Sequence, residues 1–377
     1  MFYTNARIFT SDFQFHTGAF EVKDGVFGEI LPENVPADAI DLGGATVIPG
    51  LNEVHSHGNS GADFSDGDYE GLKAMARYFA QCGVTSFAPA SMTLPYDVLE
   101  KAFANAKQLT EEKPEGHSVL RGIQMEGPYF SYKKRGAQNA DYLKEPDFEG
   151  FKKLYDGCGG LVTIVDIAPE LPGAAEFVAK AKDLCTVSIA HTDCTYDDAK
   201  AAVDAGVTHL THLYNAMPAI HHRNPGSIPA GVENPNVQAE IIADGFHIHP
   251  AAIRLAFSMF GGERMILVSD SGRCAGQPEG YQFDLGGQMA EIRGGVAKLV
   301  GTDTIACSAS NMWACLRNVI SWNIPEEEAV RAATYNPAKA IGADKVVGSI
   351  ETGKVADFII TNADYSEKRV FLAGKEI

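Results

Sequence analysis

The spacing of apolar and polar positions changes character twice along the chain. From residue 1 to about 49 it alternates over short stretches, at 3–10, 19–23 and 26–30, the last two separated by Asp24-Gly25. An Asp-Gly pair between alternating runs predicts a β-hairpin, because both residues tolerate the positive φ that tight hairpin turns require. The C-terminal stretch reads the same way, with apolar runs at 348–360 and 368–377. Neither end holds enough strands to bury a sheet face alone. Segments 1–49 and 346–377 are therefore expected to pair into one small β-sandwich.

Between them, 50–345 alternates apolar, strand-like runs with segments of helical period. In 69–82, Leu72, Met75, Ala76 and Phe79 share one helical face and Gly83 provides the exit. Eight strand candidates fall at 51–57, 84–91, 119–126, 162–168, 186–191, 207–212, 237–243 and 265–270. Strand–helix alternation on this scale predicts a (β/α)8 TIM barrel, with a doubly wound sheet as the runner-up. After the eighth strand, Gly272, Gly276 and Gly280 predict a mobile loop.

Composition narrows the function classes. A hydrophobic fraction of 45% is enough for a sizeable core, and no run of 18 or more apolar residues predicts a membrane span. The first residues lack the basic and then apolar order of an export signal. The seven cysteines are scattered and form no C-x-x-C, which fits reduced thiols and a cytoplasmic location. A net charge of −18 argues against a nucleic-acid partner, while a small anionic ligand needs only a local cluster of donors.

In a barrel the C-terminal strand ends open on one face, where catalytic residues belong. Those ends carry His55 and His57, Glu126, His191, His212 and Asp270. His55-Ser-His57 places two imidazoles on one side of an extended strand, since side chains alternate. Histidines with a glutamate can hold one or two divalent cations and leave a place for water. A divalent cation lowers the pKa of bound water towards about 7, and a rim carboxylate, Asp270, can take that proton and deliver it to a leaving amine. The chemistry expected of this set is hydrolysis of an amide or ester.

Several runs resemble a known family. Pro49-Gly50 before His-x-His-Gly, and Gly353-x-x-Ala-Asp-Phe358, are similar to the amidohydrolase superfamily. More specific runs resemble the N-acetylglucosamine-6-phosphate deacetylase family: Met125-Glu-Gly-Pro-Tyr, Lys133-Lys-Arg-Gly-Ala-Gln, Thr211-His-Leu-Tyr-Asn-Ala-Met-Pro, Ile242-Ala-Asp-Gly-Phe-His and Val268-Ser-Asp-Ser. The resemblance implies metal-dependent removal of acetate from the 2-acetamido group of an amino-sugar phosphate. It implies metal ligands at Glu126, His191 and His212, a second site at His55 and His57, and Asp270 as the acid/base. It also implies substrate contacts at Ala137, Gln138, Asn215, Ala216, Arg223, His247 and Ile305, with Arg223 meeting the phosphate. A homodimer is expected, with zinc first among the metals and iron, manganese or cobalt as alternatives.

Three stretches depart from the family pattern. Some members have a histidine where this chain has Gln138, and they lack His-x-His; here both strand-1 histidines are present, favouring a second cation. Thr-Asp-Ala around the acid reads Ser269-Asp270-Ser271. Cys307 stands where the family has glycine, which leaves the acyl and epimer preference open, N-acetylgalactosamine 6-phosphate included. Other functions weigh less. A cyclic-amide hydrolase would want a lysine in 162–167, which has none; a purine deaminase would want a further acid near His191. A non-catalytic barrel would be expected to have lost ligands.

Overall fold

The computed structural model describes residues 1–285 and 288–377. The alternation seen in the sequence is realised as an α/β fold. Parallel strands Leu51–Glu53, Val84–Phe87 and Val119–Leu120 form one sheet. Ile123–Met125, Val162–Ile167, Thr186–Ile189, His209–Leu210, Gln238–Ile242 and Met265–Val268 form a second, in chain order. A parallel bridge from Ala90 to Gln124 joins the two sheets. At the far edge the backbone N–H of Asp270 donates to the carbonyl of His55 at 3.0 Å, so the sheet curls back towards its first strand.

Helices follow most of the parallel strands and cover the sheet, as expected for strands that are apolar on both faces. Tyr69–Gln81 is representative. Asp68 caps it by accepting from the N–H of Glu70, and Leu72, Met75, Ala76 and Phe79 are buried against the sheet. Gly83 then leaves at φ +87°, a conformation that costs glycine nothing.

The strands are shorter than the sequence predicts: regular pairing stops at Glu53, Met125, Ile189, Leu210 and Val268, before each candidate site residue. The reason is local. His191, His212 and Asp270 have positive φ values of 43°, 33° and 45°, in the left-handed region that strands cannot enter and that side chains other than Gly, Asn and Asp rarely adopt.

The segment 272–281, where the glycines predict a loop, is turns and irregular chain, and a sheet that the sequence reading did not anticipate follows it. Gly272 N–H donates to Ser308 O, and strands Gln282–Leu285, Gln288–Arg293, Val296–Leu299 and Ile305–Cys307 form an antiparallel sheet. Its alternation at 282–285 was present in the sequence, with Phe283 and Leu285 buried and Gln282 and Asp284 exposed.

The two ends of the chain share one mixed sheet, in which Thr46–Pro49 pairs with both Phe2–Phe9 and Phe358–Thr361. Tyr3, Phe20, Phe358 and Phe371 pack in its core, the last two stacked at 4.3 Å. Just before this strand, Asp357 is buried. Burial pushes its carboxyl up to about 6, against the opposing pull of the Ala373 N–H and Arg121. The folded state thus holds this proton more tightly than the unfolded chain, so the contribution is full at low pH and lost as pH rises from about 4 through about 6. Asp357→Asn should remove that loss, gaining up to about 3 kcal/mol over wild type at pH 7 and little at pH 4. Urea midpoints of both proteins at the two pH values measure it; an equal difference at both would refute the assignment. Among the described residues no helix is long and apolar enough to cross a membrane.

Candidate metal centre

The fold brings His55, His57, Glu126, His191, His212 and Asp270 to one place, at the mouth of the curled sheet. Glu126 is central and buried. Its Oε1 lies 3.1 Å from Nε2 of His191, 3.2 Å from Nε2 of His212 and 3.6 Å from Nε2 of His55. Its Oε2 lies 3.1 Å from Nε2 of His57. Asp270 Oδ1 approaches Nε2 of His57 at 3.5 Å and of His55 at 3.6 Å. The donors divide into two groups able to hold an ion, His55–His57–Glu126 and Glu126–His191–His212, which share the glutamate.

Two physical tests ask whether this set fits a metal. The first is spacing: ligand atoms about 2.1 Å from one tetrahedral ion lie about 3.4 Å from each other, and the contacts above run from 3.1 to 3.6 Å. The second is hydrogen bonding. Nδ1 of His191 lies 2.7 Å from the carbonyl oxygen of Lys134, and Nδ1 of His55 lies 2.8 Å from a carboxylate oxygen of Glu240. Both partners only accept, so in each neutral ring the hydrogen sits on Nδ1 and Nε2 bears a lone pair. Lone pairs of imidazole and carboxylate then face each other in a buried site, an arrangement a cation between them makes favourable. The donor set fits a divalent metal.

The electrostatics agree. Burial disfavours charge on Glu126, yet His57, His191 and His212 outweigh it and hold the carboxyl well below the usual carboxylate range. Burial likewise opposes a charged His57, while Glu126 and Asp270 overcome it and push the imidazole up to about 9. The pocket therefore draws positive charge, which protons or a metal can supply. The ring of Phe130 stacks on His191 at 4.4 Å and limits its rotation.

Beside this centre lies a cavity of about 240 Å³, below the roughly 300–1,000 Å³ typical of ligand clefts and suited to a ligand of monosaccharide size. His57, Glu126, His191, His212 and Asp270 line it, with Ala137, Gln138, Asn215, Ala216, His247 and Ile305. His55 is beneath, wholly buried. Gln138 is engaged at both ends of its amide: Nε2 donates to Glu126 at 2.8 Å and Oε1 accepts from the Thr93 N–H at 2.7 Å. Its first structural role is thus to orient the shared carboxylate. His247 is held by Asp244 at 2.7 Å.

Arg223 is not brought to the cavity. It is exposed on a turn, with Nη1 2.7 Å from Nε2 of His222. Cys307 does line the cavity, and its Sγ is 3.6 Å from that of Cys274.

The sequence reading missed Met92, Leu285 and the Lys134 carbonyl, which contact the site from outside the strand ends. It also missed Glu240 and His209, both fully buried. A glutamate within the apolar run Gln238-Ala-Glu-Ile-Ile was the available signal, because an ionised side chain in a core strand must have partners.

The chain matches the model of the amidohydrolase family over residues 46–377. It is 34% identical over 342 residues to an N-acetylglucosamine-6-phosphate deacetylase of Vibrio furnissii, covering 90% of this chain and 84% of that protein. It is 29% identical over 371 residues to an N-acetylgalactosamine-6-phosphate deacetylase of Escherichia coli O157:H7, covering 98% and 97%. Among solved structures, a variant N-acetyl-D-glucosamine-6-phosphate deacetylase from Mycobacterium smegmatis, in complex with N-acetyl-D-glucosamine-6-phosphate, superposes with a TM-score of 0.93 at 30% identity, covering 100% of this chain and 98% of that one. The chain belongs to the N-acetylglucosamine-6-phosphate deacetylase family of amidohydrolases.

Proposed function

We propose that this protein hydrolyses the acetamido group of N-acetylglucosamine 6-phosphate, releasing acetate and glucosamine 6-phosphate. The observation that carries this reading is the carboxylate of Glu126, shared by two histidine pairs, with Asp270 facing both strand-1 histidines at the wall of a monosaccharide-sized cavity. Glu126, His191 and His212 would hold one divalent cation, and His55, His57, Glu126 and Asp270 a second; zinc is the first choice, with iron, manganese and cobalt as alternatives. When bound, such a cation supplies Lewis acidity, acidifying water and polarising the amide carbonyl. The Asp270 carboxylate takes the proton of the attacking water and returns it to the amine nitrogen as the C–N bond breaks, so the carboxylate is regenerated each turnover. Asn215 and His247, with the backbone at Ala137, Ala216 and Ile305, orient the sugar. Gln138 keeps Glu126 turned towards the histidines.

Arg223 suits a phosphate by its planar, bidentate guanidinium, and its exposed turn in a single chain fits delivery to the cavity of a second copy in a homodimer. The framework proposed is a closed (β/α)8 barrel over 50–345 beside a β-sandwich built from 1–49 and 346–377. The curl of the parallel strands and the strand pairing of the two ends support it. All seven cysteines are free, which fits a reducing cytoplasm.

Acetate release from N-acetylglucosamine 6-phosphate and N-acetylgalactosamine 6-phosphate, with defined metals added, tests the reading. Faster release from the glucosamine epimer is expected. Preference for the galactosamine epimer would move the assignment to the second relative's substrate, and no release from either would end it.

A further inference from the structure

The strand Gln238–Ile242 carries one charged side chain, Glu240, and it is wholly buried. A carboxylate out of water must be met by donors, and three meet this one. Oε2 accepts from Nδ1 of His55 at 2.8 Å and from the backbone N–H of His212 at 3.2 Å. Oε1 accepts from Nε2 of His209 at 2.9 Å.

An ionised carboxylate has no hydrogen to give. Nδ1 of His55 therefore carries the hydrogen, and the neutral ring presents its lone pair at Nε2. That nitrogen is buried, makes no hydrogen bond, and stands 3.6 Å from both Glu126 and Asp270. Glu53 accepts from the backbone N–H of His55 at 3.0 Å, whereas Glu240 is the partner of its ring Nδ1. The same carboxylate oxygen grips the backbone of His212 at the point where φ turns positive, so one side chain braces a residue of each histidine pair.

We propose that Glu240 is a positioning residue for the metal centre, fixing the tautomer and ring angle of His55 and tying them to the backbone of His212. The inference rests on reading His55 as a ligand. Carboxylate–histidine–metal relays of this kind raise ligand basicity and hold the ring in place, and their loss commonly costs about 10–100-fold in metal affinity.

The test counts metal instead of turnover. Protein loaded with Zn2+ is dialysed against graded chelator and the ions remaining per chain are counted. Wild type should release ions in two steps, and His55→Ala marks the step that belongs to His55 and His57. Glu240→Leu should weaken that step about 100-fold and scramble the His55 tautomer seen by heteronuclear NMR of the imidazoles. In Glu240→Gln the amide oxygen can still accept from His55 and His212, while the NH2 donates to a neutral His209; this variant should stay within about tenfold of wild type and keep the tautomer. If Glu240→Leu does not fold, Glu240→Asp replaces it, keeping charge but withdrawing the oxygens by one methylene, with at least about tenfold weakening expected. Unchanged chelator midpoints in the Leu or Asp variant overturn the proposal. A wild-type protein showing no step that His55→Ala removes overturns the ligand reading of His55 itself.

Discussion

Asp270→Asn should lower kcat by about 10²–10⁴-fold, the range a positioned acid/base supplies, with KM little changed. The reasoning is one of atoms. Asn keeps an oxygen where Asp270 Oδ1 now stands, 3.5 Å from Nε2 of His57, so the shape of the centre survives. What it loses is the ability to take a proton from water and return it to the amine. The backbone is secured independently: the Asp270 N–H donates to His55 O, and its carbonyl accepts from Ser308 N–H at 3.1 Å. Metal at the Glu126–His191–His212 group, which does not include Asp270, and the thermal midpoint should therefore stay near wild type while turnover falls. A variant within tenfold of wild-type kcat would remove Asp270 from the proton path.

Glu126→Gln should have the larger effect, removing both activity and metal. Each oxygen of Glu126 serves histidines: Oε1 faces His191 and His212, and Oε2 faces His57. The amide is neutral, and its NH2 would point a donor at lone pairs or collide with the donor of Gln138, now 2.8 Å from Oε2. Both proposed ions lose the carboxylate they share, so metal content after dialysis should drop below about one-tenth of wild type and turnover by about 10⁴-fold or more. Stability supplies a second measurement. A cation at about 100 times its Kd stabilises the folded wild type by about 2.7 kcal/mol, and that gain should be absent in the variant. Retention of half the metal would show that Glu126 is not the bridge.

Much of this site was legible before any coordinates. His55, His57, Glu126, His191, His212 and Asp270 each follow an apolar run and precede a turn, and in a parallel α/β fold such positions open on one face. The helices were equally legible where one apolar face and a glycine exit coincide, as in Tyr69–Gln81. Other features were local in the sequence but were not read from it. The alternation at Gln282–Leu285 belongs to a sheet beside the cavity, masked by the glycines that precede it. Arg223 was expected at the substrate from the family resemblance and yet is exposed away from the cavity of its own chain, because a resemblance in sequence does not state which chain's site a residue serves.

The sequence by itself determined the alternation of strands and helices, the inventory of imidazoles and carboxylates, and their places at the strand ends. These follow from periodicity and residue chemistry, which act over a few neighbouring positions. Only the tertiary structure decided that Glu126 is shared between two histidine pairs, that Glu240 and Lys134 fix which ring nitrogen faces inward, and that His191, His212 and Asp270 turn through the left-handed region to converge. Those relations join residues far apart in the chain, and they exist only once the order and curl of the sheet set which strand ends meet.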